Sequence, residues 1–166
     1  MRVAVITSSD SGAAGMREDK SGPLIREIVT GLGGQVVSYT LLPDEQRQLE
    51  DAMKSIADSK AADLILTTGG TGCSKRDRMP EATAAVSERN VPGIPEAIRA
   101  YSMQFTGRAM LSRGAAGIRK ETMIVNLPGS PKAIREVLEY IYPHLEHGVE
   151  ILTGAASDCA REHSHG

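Results

Sequence analysis

The segment that decides the fold is Leu64–Thr83, which reads LILTTGGTGCSKRDRMPEAT. It opens with an apolar run typical of a strand buried on both faces, and the run ends in two threonines. Glycines follow at positions 69, 70 and 72, and Asp77 comes five residues after the last of them. This order predicts a buried strand that delivers a flexible, donor-rich loop to a site where phosphates and a metal ion meet.

Upstream of this segment, strand and helix patterns alternate. The apolar runs Val3–Thr7 and Val36–Leu42 predict strands, and positions 8–20 predict a loop. A helix is expected to start with Ser21 as its N-cap, and another is expected after the break at 43–45. Strand, helix, strand, helix, strand is the pattern of parallel units with right-handed crossovers.

Downstream, the same reasoning predicts two more strands and further helices. The strands are expected at Ala109–Leu111 and Met123–Leu127, helices at 80–86 and 96–105 with a turn at 92–95 between them, and two helical stripes lie between Ile134 and Leu152. The predicted fold class is α/β, a three-layer α/β/α sandwich on a mostly parallel sheet. One domain is expected over residues 1–154, and residues 155–166 have the low apolar content of a disordered tail.

Composition excludes several classes of function. Aromatic residues make up only 3% of the chain and the net charge is −2, which argues against nucleic acid as a partner. The two cysteines form neither a metal-ligand spacing nor a disulfide framework. The chain begins directly with a strand-like run, and no apolar stretch has the length of a membrane span, so a cytoplasmic location without membrane contact is expected.

In an open parallel sheet, ligands bind at the carboxyl ends of the strands. The glycine loop is predicted to lie there, and its lack of side-chain bulk lets backbone N–H groups approach an anion. The alternative is a tight turn that requires positive φ. The spacing matches neither a P-loop nor the dinucleotide fingerprint. The residues expected to contact a phosphate-bearing ligand here are Thr68, Gly69, Gly70, Thr71 and Gly72.

Two aspartates are candidates for a metal site at this edge. Asp77 beside bound phosphates calls for a divalent cation, and Mg²⁺ favours one or two carboxylates together with phosphate oxygens. Asp44 directly follows the second strand and could reach the same cation. The alternative for Asp44 is a helix N-cap, and the alternative for Asp77 is a solvated side chain paired with Lys75 or Arg76.

A second loop, Pro128–Pro131, joins a strand to a helix. Ser130 is a candidate N-cap, and Gly129 and Ser130 also offer donors to an anion at a helix N-terminus. Arg113 could bind a phosphate or form a surface salt bridge. Cys73 has no histidine nearby in sequence and is interpreted as a small space-filling residue rather than a nucleophile.

Together these motifs resemble the molybdopterin adenylyltransferases of molybdenum-cofactor biosynthesis, the Mog/MoaB family related to the gephyrin and plant Cnx G domains. The resemblance covers residues 2 to 154, in the family's order. The matching pieces are Asp19-Lys-Ser-Gly-Pro, Pro43-Asp-Glu, Thr67-Thr-Gly-Gly-Thr-Gly, Arg76-Asp, Pro80-Glu-Ala-Thr, Pro92-Gly, Ala109-Met-Leu-Ser-Arg, Ala116-Gly-Ile-Arg and Asn126-Leu-Pro-Gly-Ser-Pro-Lys.

The resemblance implies that the terminal phosphate of molybdopterin attacks the α-phosphorus of ATP, with Mg²⁺ assisting, so that adenylyl-molybdopterin forms and pyrophosphate leaves. It implies catalytic and metal-binding roles for Asp44 and Asp77, and nucleotide or molybdopterin contacts for the glycine loop and for Pro128, Gly129 and Ser130. Ser112 falls on the pterin side of the pocket. The family also implies a homotrimer or hexamer, and a contact with the metal-inserting enzyme of the pathway.

One departure and two alternatives remain open at this point. Where the family commonly has Val-Thr before the proline, this chain has Arg78-Met79, which removes a hydroxyl that could cap the next helix. A molybdopterin-binding or scaffold module without transferase activity is the first alternative, and retention of Asp44 and Asp77 favours the enzyme over it. A nucleotide pyrophosphatase is the second, and no water-activating base is evident for it.

Overall fold

A computed structural model describes residues 1–155 of the 166-residue chain. The predicted tail, apart from its first residue, lies outside the described residues. The strands are β1 Arg2–Ser8, β2 Gln35–Leu42, β3 Leu64–Thr68, β4 Arg89–Asn90, β5 Ala116–Arg119 and β6 Thr122–Leu127. The helices are α1 Asp10–Ala13, α2 Ser21–Gly31, α3 Gln46–Asp58, α4 Met79–Val86, α5 Gly93–Ser102 and α6 Pro131–Thr153, with a 3₁₀ helix at Gly107–Leu111.

The strands form one mixed sheet in the order β2-β1-β3-β6-β5-β4. The pairs β1/β2, β1/β3 and β3/β6 are parallel, whereas β5 pairs antiparallel with both β6 and β4. The parallel strands therefore end at one edge of the sheet, where the glycine loop and the Pro128–Pro131 loop emerge side by side.

Alternating residues of β1 face two separate hydrophobic layers. Val3 and Val5 pack with α2, α5 and α6 on one face, and Ala4 and Ile6 pack with α3 and α4 on the other. All four side chains are fully buried, as expected for a central parallel strand covered by helices on both sides. The predicted α/β/α sandwich is confirmed.

The prediction of a strand at Ala109–Leu111 is wrong. This segment is the 3₁₀ helix, held by Ala109 N–H to Thr106 O at 3.1 Å and Ser112 N–H to Ala109 O at 3.1 Å. Met110 and Leu111 are 61% and 57% exposed, so the apolar run has no core to enter and local hydrogen bonds decide its conformation. The strand in this region is β5 instead.

Three boundaries also differ from the predictions. Positions 8–20 contain the short helix α1, because the Ser9 side chain accepts a hydrogen bond from Gly12 N–H at 3.1 Å. Ser21 is the first residue of α2 rather than its cap, since Asp19 accepts from the N–H groups at the start of that helix. The predicted turn at 92–95 is mostly the first turn of α5.

Candidate functional site

The loops that follow β3 and β6 contact each other at the carboxyl edge of the sheet. The Thr68 hydroxyl donates to Pro128 O at 2.7 Å, and a Cβ added to Gly129 would lie 3.8 Å from Gly69 Cα. Gly69 and Gly70 have φ of +85° and +65°, so the positive-φ turn expected as an alternative is present. That turn and a phosphate-binding role are compatible, because it leaves the glycine backbone at the site edge.

Two clefts flank these loops. The first has a volume of about 660 Å³ and the second about 280 Å³. The first is lined by polar residues of β1 and of the loop between α1 and α2, among them Ser8, Arg17, Asp19 and Lys20, together with Thr68 and Gly69. The second is lined by Thr71, Gly72, Ile98, Leu111 and Ser112, among others. Gly129 and Ser130 line both clefts, so the sequence-predicted loops separate two adjoining spaces.

Ser130 is the N-cap of α6, as predicted. Its Oγ accepts a hydrogen bond from Ala133 N–H at 3.2 Å, and Pro131 occupies the first helical turn. Because α6 has 23 residues, its N-terminus carries the positive end of a long helix dipole toward both clefts. An anion bound here would be stabilised without any further charge.

Asp44 does not cap α3, so that alternative is wrong. Glu45 occupies the cap position without a side-chain cap bond. The Asp44 carboxylate instead accepts from Ser8 Oγ at 2.5 Å and from Asp10 N–H at 3.1 Å. A Cβ at Gly70 would lie 3.2 Å from Asp44 Oδ1, which places this carboxylate against the glycine loop.

Asp77 follows the same loop in sequence and is partly exposed. Its Oδ2 accepts from Ser74 N–H at 2.8 Å and would lie 2.9 Å from a Cβ at Gly72. The alternative for Asp77 was an ion pair with Lys75 or Arg76, and within residues 1–155 neither side chain forms a salt bridge with it. Arg76 instead binds Asp10 through two hydrogen bonds of 2.9 Å and Glu45 through one of 2.8 Å.

Asp10 is a site residue that sequence reasoning missed. Its carboxylate accepts from Asp44 N–H at 2.9 Å and from Arg76, so it links the loops after β1, β2 and β3. The Arg76 hydrogen bonds lower the pKa of Asp10 below its ordinary value. A lone aspartate in a polar loop carries no sequence signal for this role.

Asp44 and Asp77 each place a carboxylate, a ligand type that Mg²⁺ prefers, against the glycine loop. Within residues 1–155 no group of three or more His, Cys, Asp or Glu side chains is arranged to hold a metal. Mg²⁺ does not need one, because it is usually bound through one or two carboxylates with water and phosphate oxygens completing the octahedron. Asp44 and Asp77 adjoin Gly70 and Gly72 respectively, so each lies beside the loop expected to approach phosphate.

The departure at Arg78-Met79 has a structural reason. Met79 is fully buried in the layer formed by α3 and α4, and its N–H donates to Gly70 O at 3.1 Å. Arg78 occupies the cap position of α4 and makes no side-chain cap bond, so the hydroxyl lost from the motif is not replaced. The apolar contact of Met79 holds the start of α4 against the core instead.

Ser112 lines the second cleft, although it follows the 3₁₀ helix and not a strand. Cys73 is exposed, which makes the space-filling interpretation wrong, and its Sγ lies 3.6 Å from Leu111 O.

A buried polar network behind the glycine loop was also missed. Asn126 in β6 donates to Thr67 Oγ1 at 2.9 Å and to Thr83 Oγ1 at 2.8 Å, and it accepts from Ala115 N–H at 3.0 Å. Asn126 is 2% exposed, so its amide group relies on these protein partners rather than on bulk water. The sequence feature that could have predicted this network is Asn126 itself, a single amide side chain within the apolar run of β6.

We expect Asn126→Ala to lower the free energy of unfolding by about 2–4 kcal/mol, because buried hydrogen-bonding groups in β3, α4 and the Ala115 backbone lose their partner. Urea denaturation measures the change. Asn90→Ala on the exposed edge strand β4 is the control, with an expected effect of less than about 0.5 kcal/mol. Equal effects of the two substitutions would contradict the network.

Asp19 fixes the wall of the first cleft. Burial raises its pKa, but hydrogen bonds outweigh that effect and lower the pKa below the ordinary value of 3.8. Tyr39 donates to it at 2.5 Å, and the N–H groups of Ser21 and Gly22 donate at 2.9 and 3.1 Å. Burial and this hydrogen bond raise the pKa of Tyr39 to about 12.

A carboxylate with a depressed folded-state pKa stabilises the fold fully above its unfolded value, and this contribution is lost as the pH falls through the folded value. The advantage of wild type over Asp19→Asn is therefore expected to be constant above pH 3.8 and to shrink below it. Unfolding free energies measured across that range check this. Asp51→Asn, which makes the same chemical change at an exposed position of α3, is the matched control. A difference between wild type and Asp19→Asn that is independent of pH would contradict the assignment.

Comparison with known proteins identifies the family to which the chain belongs. Residues 4–147 match the family model described as "Probable molybdopterin binding domain". The molybdopterin adenylyltransferase of Helicobacter pylori J99 is 38% identical over 156 residues, covering 93% of this chain and 89% of that protein. The Escherichia coli K12 molybdopterin adenylyltransferase is 40% identical over 141 residues, covering 84% and 72%.

Among solved structures, the molybdopterin biosynthesis enzyme MoaB of Thermus thermophilus has a TM-score of 0.86 and 46% identity, covering 92% of this chain and 96% of that one. The tungsten cofactor synthesizing protein MoaB of Pyrococcus furiosus has a TM-score of 0.82 and 36% identity, covering 91% and 96%. These matches extend over nearly the whole described fold, including both site loops. The chain therefore belongs to the Mog/MoaB family of molybdopterin adenylyltransferases.

Proposed function

We propose that this protein transfers the adenylyl group of ATP to the terminal phosphate of molybdopterin. A phosphate oxygen of molybdopterin attacks the α-phosphorus, the bond from that phosphorus to the bridging oxygen breaks, and pyrophosphate leaves. The observation that carries the proposal is the pair of clefts that share Gly129 and Ser130. Two adjoining spaces on one donor-rich edge suit two phosphate-bearing substrates that must meet end to end.

The chain's own groups match the demands of this transfer. Phosphoryl-type transfer depends on alignment and charge neutralisation more than on a covalent nucleophile. We assign the binding of phosphate oxygens to backbone N–H groups of Gly69–Gly72, to the hydroxyl of Thr71 and to the start of α6. Ser112 contributes to the wall of the second cleft, where we place the pterin.

Asp44 and Asp77 are proposed to hold Mg²⁺. When bound, the ion neutralises charge that builds up on the phosphate oxygens and on the leaving pyrophosphate. Ser8 and the Asp10 N–H orient the Asp44 carboxylate, while Ser74 N–H orients that of Asp77. Each carboxylate keeps lone pairs beyond these hydrogen bonds with which to bind a cation.

A pyrophosphate-release assay tests the proposal against its alternatives. With ATP, Mg²⁺ and molybdopterin, pyrophosphate and adenylyl-molybdopterin are expected in equal amounts. If molybdopterin binds and no product forms, the transferase proposal is wrong and the scaffold module remains. Pyrophosphate released from ATP without molybdopterin would support the pyrophosphatase instead.

Family membership also supports a homotrimer, or a hexamer built from trimers, and a contact with the metal-inserting enzyme. Exposed apolar side chains in the turn after α5, on the 3₁₀ helix and on α6 support association; Phe105 and Met110 are 51% and 61% exposed. We place the protein in the cytoplasm. Among residues 1–155, no helix combines the length and apolarity that a membrane span requires. A mass measurement in solution distinguishes one, three and six copies of the 17.7 kDa chain.

A further inference from the structure

Arg113 bridges the two ends of the loop that carries Asp77. Its Nε donates to Gly72 O at 2.7 Å, and its Nη2 donates to Asp77 O at 2.8 Å. Its backbone N–H donates to Thr71 O at 2.9 Å. A single planar guanidinium therefore sets the separation of residues 72 and 77, because the directions of its N–H groups are fixed.

Between those two ends the loop makes a tight turn. Asp77 N–H donates to Ser74 O at 3.1 Å, and Ser74 N–H donates to the Asp77 carboxylate at 2.8 Å. These bonds fix the carboxylate relative to its own turn but do not tie the turn to the rest of the site. Arg76 ties the middle of the turn to Asp10 and Glu45, and the Arg113 guanidinium ties its two ends to the segment that follows the 3₁₀ helix.

Glu81 on α4 holds Arg113 in place. Its carboxylate accepts from both Nη1 and Nη2 of Arg113, and this interaction lowers the pKa of Glu81 below its ordinary value. The arginine side chain thus makes four hydrogen bonds to Gly72, Asp77 and Glu81. Glu81 neutralises the charge of the guanidinium, and these bonds already use its N–H donors. Arg113 is therefore a poor ligand for a substrate phosphate.

We infer that Arg113 is a positioning residue that aims the Asp77 carboxylate at the metal by bridging both ends of its loop, with Glu81 fixing the guanidinium. This rests on the proposed function, because it assigns a supporting role at the same site. The salt bridge expected as one alternative for Arg113 is present, with Glu81 as its partner, and the positioning role replaces the other alternative, the phosphate ligand. Lysine keeps the charge but cannot span two carbonyl oxygens and a carboxylate with fixed geometry.

A double-mutant cycle between Arg113→Lys and Asp77→Asn tests the inference. Arg113→Lys is expected to lower kcat about tenfold and to raise the Mg²⁺ concentration needed for half-maximal rate, because a carboxylate displaced by a fraction of an ångström binds the ion less well. In the Asp77→Asn background the same change should cost less than about twofold, since the group that it positions is already removed. Losses that multiply in the double variant would overturn the inference, as would wild-type turnover in Arg113→Lys.

Arg119→Lys is the matched control. Arg119 likewise binds a carboxylate, Asp58, and a backbone carbonyl, that of Val86, but it lies on β5 away from the clefts. Its replacement should leave kcat and the Mg²⁺ dependence unchanged. A drop equal to that of Arg113→Lys would show a general effect of the substitution and contradict the positioning role.

Hydrogen exchange of residues 72–77 supplies a readout that does not depend on activity. Arg113→Lys should speed exchange of the Ser74 and Asp77 amides, while amides of the buried sheet keep their protection. If wild type forms no adenylyl-molybdopterin, the proposed function fails, and unchanged exchange would then separately contradict the bridge. Faster exchange with wild-type kcat would overturn the catalytic relevance of the bridge while leaving the proposed function intact.

Discussion

Replacing Asp77 by asparagine is expected to lower adenylyl-transfer turnover by on the order of 10²-fold or more, because a carboxylate that holds the metal supplies several kcal/mol of charge stabilisation. The asparagine oxygen can still accept from Ser74 N–H, which Asp77 accepts at 2.8 Å, so the loop should keep its conformation. The free energy of unfolding should change by less than about 0.5 kcal/mol. Steady-state rates with saturating ATP and molybdopterin measure the first quantity, and urea denaturation measures the second.

Asp51→Asn is the matched control for this prediction. It makes the same chemical change on the exposed face of α3, away from both clefts, and it should retain wild-type turnover. Raising the Mg²⁺ concentration should recover part of the rate lost in Asp77→Asn, since a weakened metal site fills again by mass action. Near-wild-type turnover in Asp77→Asn would remove this residue from the mechanism.

Gly69→Ala is expected to reduce both stability and activity. The residue has φ of +85°, and an added Cβ would lie 2.1 Å from Ser8 O. That neighbour is the backbone of the last residue of β1, whose side chain orients Asp44, so it cannot move without disturbing the site. Left-handed strain and overpacking together should cost about 2–5 kcal/mol of unfolding free energy. The displaced loop should lower turnover by on the order of 10²-fold.

Gly33→Ala separates the effect of the steric clash from that of the strained backbone conformation. Gly33 has the same φ of +85°, but no neighbouring atom lies within 4 Å of the added Cβ. The Gly33→Ala variant should therefore lose only about 1–2 kcal/mol of unfolding free energy and keep wild-type turnover. Turnover is compared at a temperature where both variants are folded. If the two alanine variants matched in stability and rate, the close approach of Gly69 to β1 would be unimportant.

Local sequence patterns were sufficient to predict the central strands of the sheet. The apolar runs of β1 and β3 have no polar interruption and are buried on both faces, so their sequences reflect their environment directly. Ser130 was likewise predictable as a cap, because capping depends on residues within one turn. The order of strands and helices then fixed which loops meet at the carboxyl edge of the sheet.

The errors arose where contacts distant in sequence decide the conformation. Ala109–Leu111 is as apolar as a strand, but it pairs with no strand of the described sheet and forms a 3₁₀ helix instead. Asp44 has the sequence of a helix cap, but Ser8 and Asp10 draw its carboxylate toward β1. Asp10, Arg76 and Asn126 act through partners more than 30 residues away, and a single sequence does not reveal such pairs.

The most direct test of the central claim follows the label from ATP radiolabelled at the α-phosphorus. Incubated with Mg²⁺, molybdopterin and this protein, the label should appear in adenylyl-molybdopterin, whereas label at the γ-phosphorus should appear in pyrophosphate. The transfer should require molybdopterin and should stop when Mg²⁺ is chelated. Bound molybdopterin that acquires no α-label, with the protein folded and Mg²⁺ present, would contradict the account.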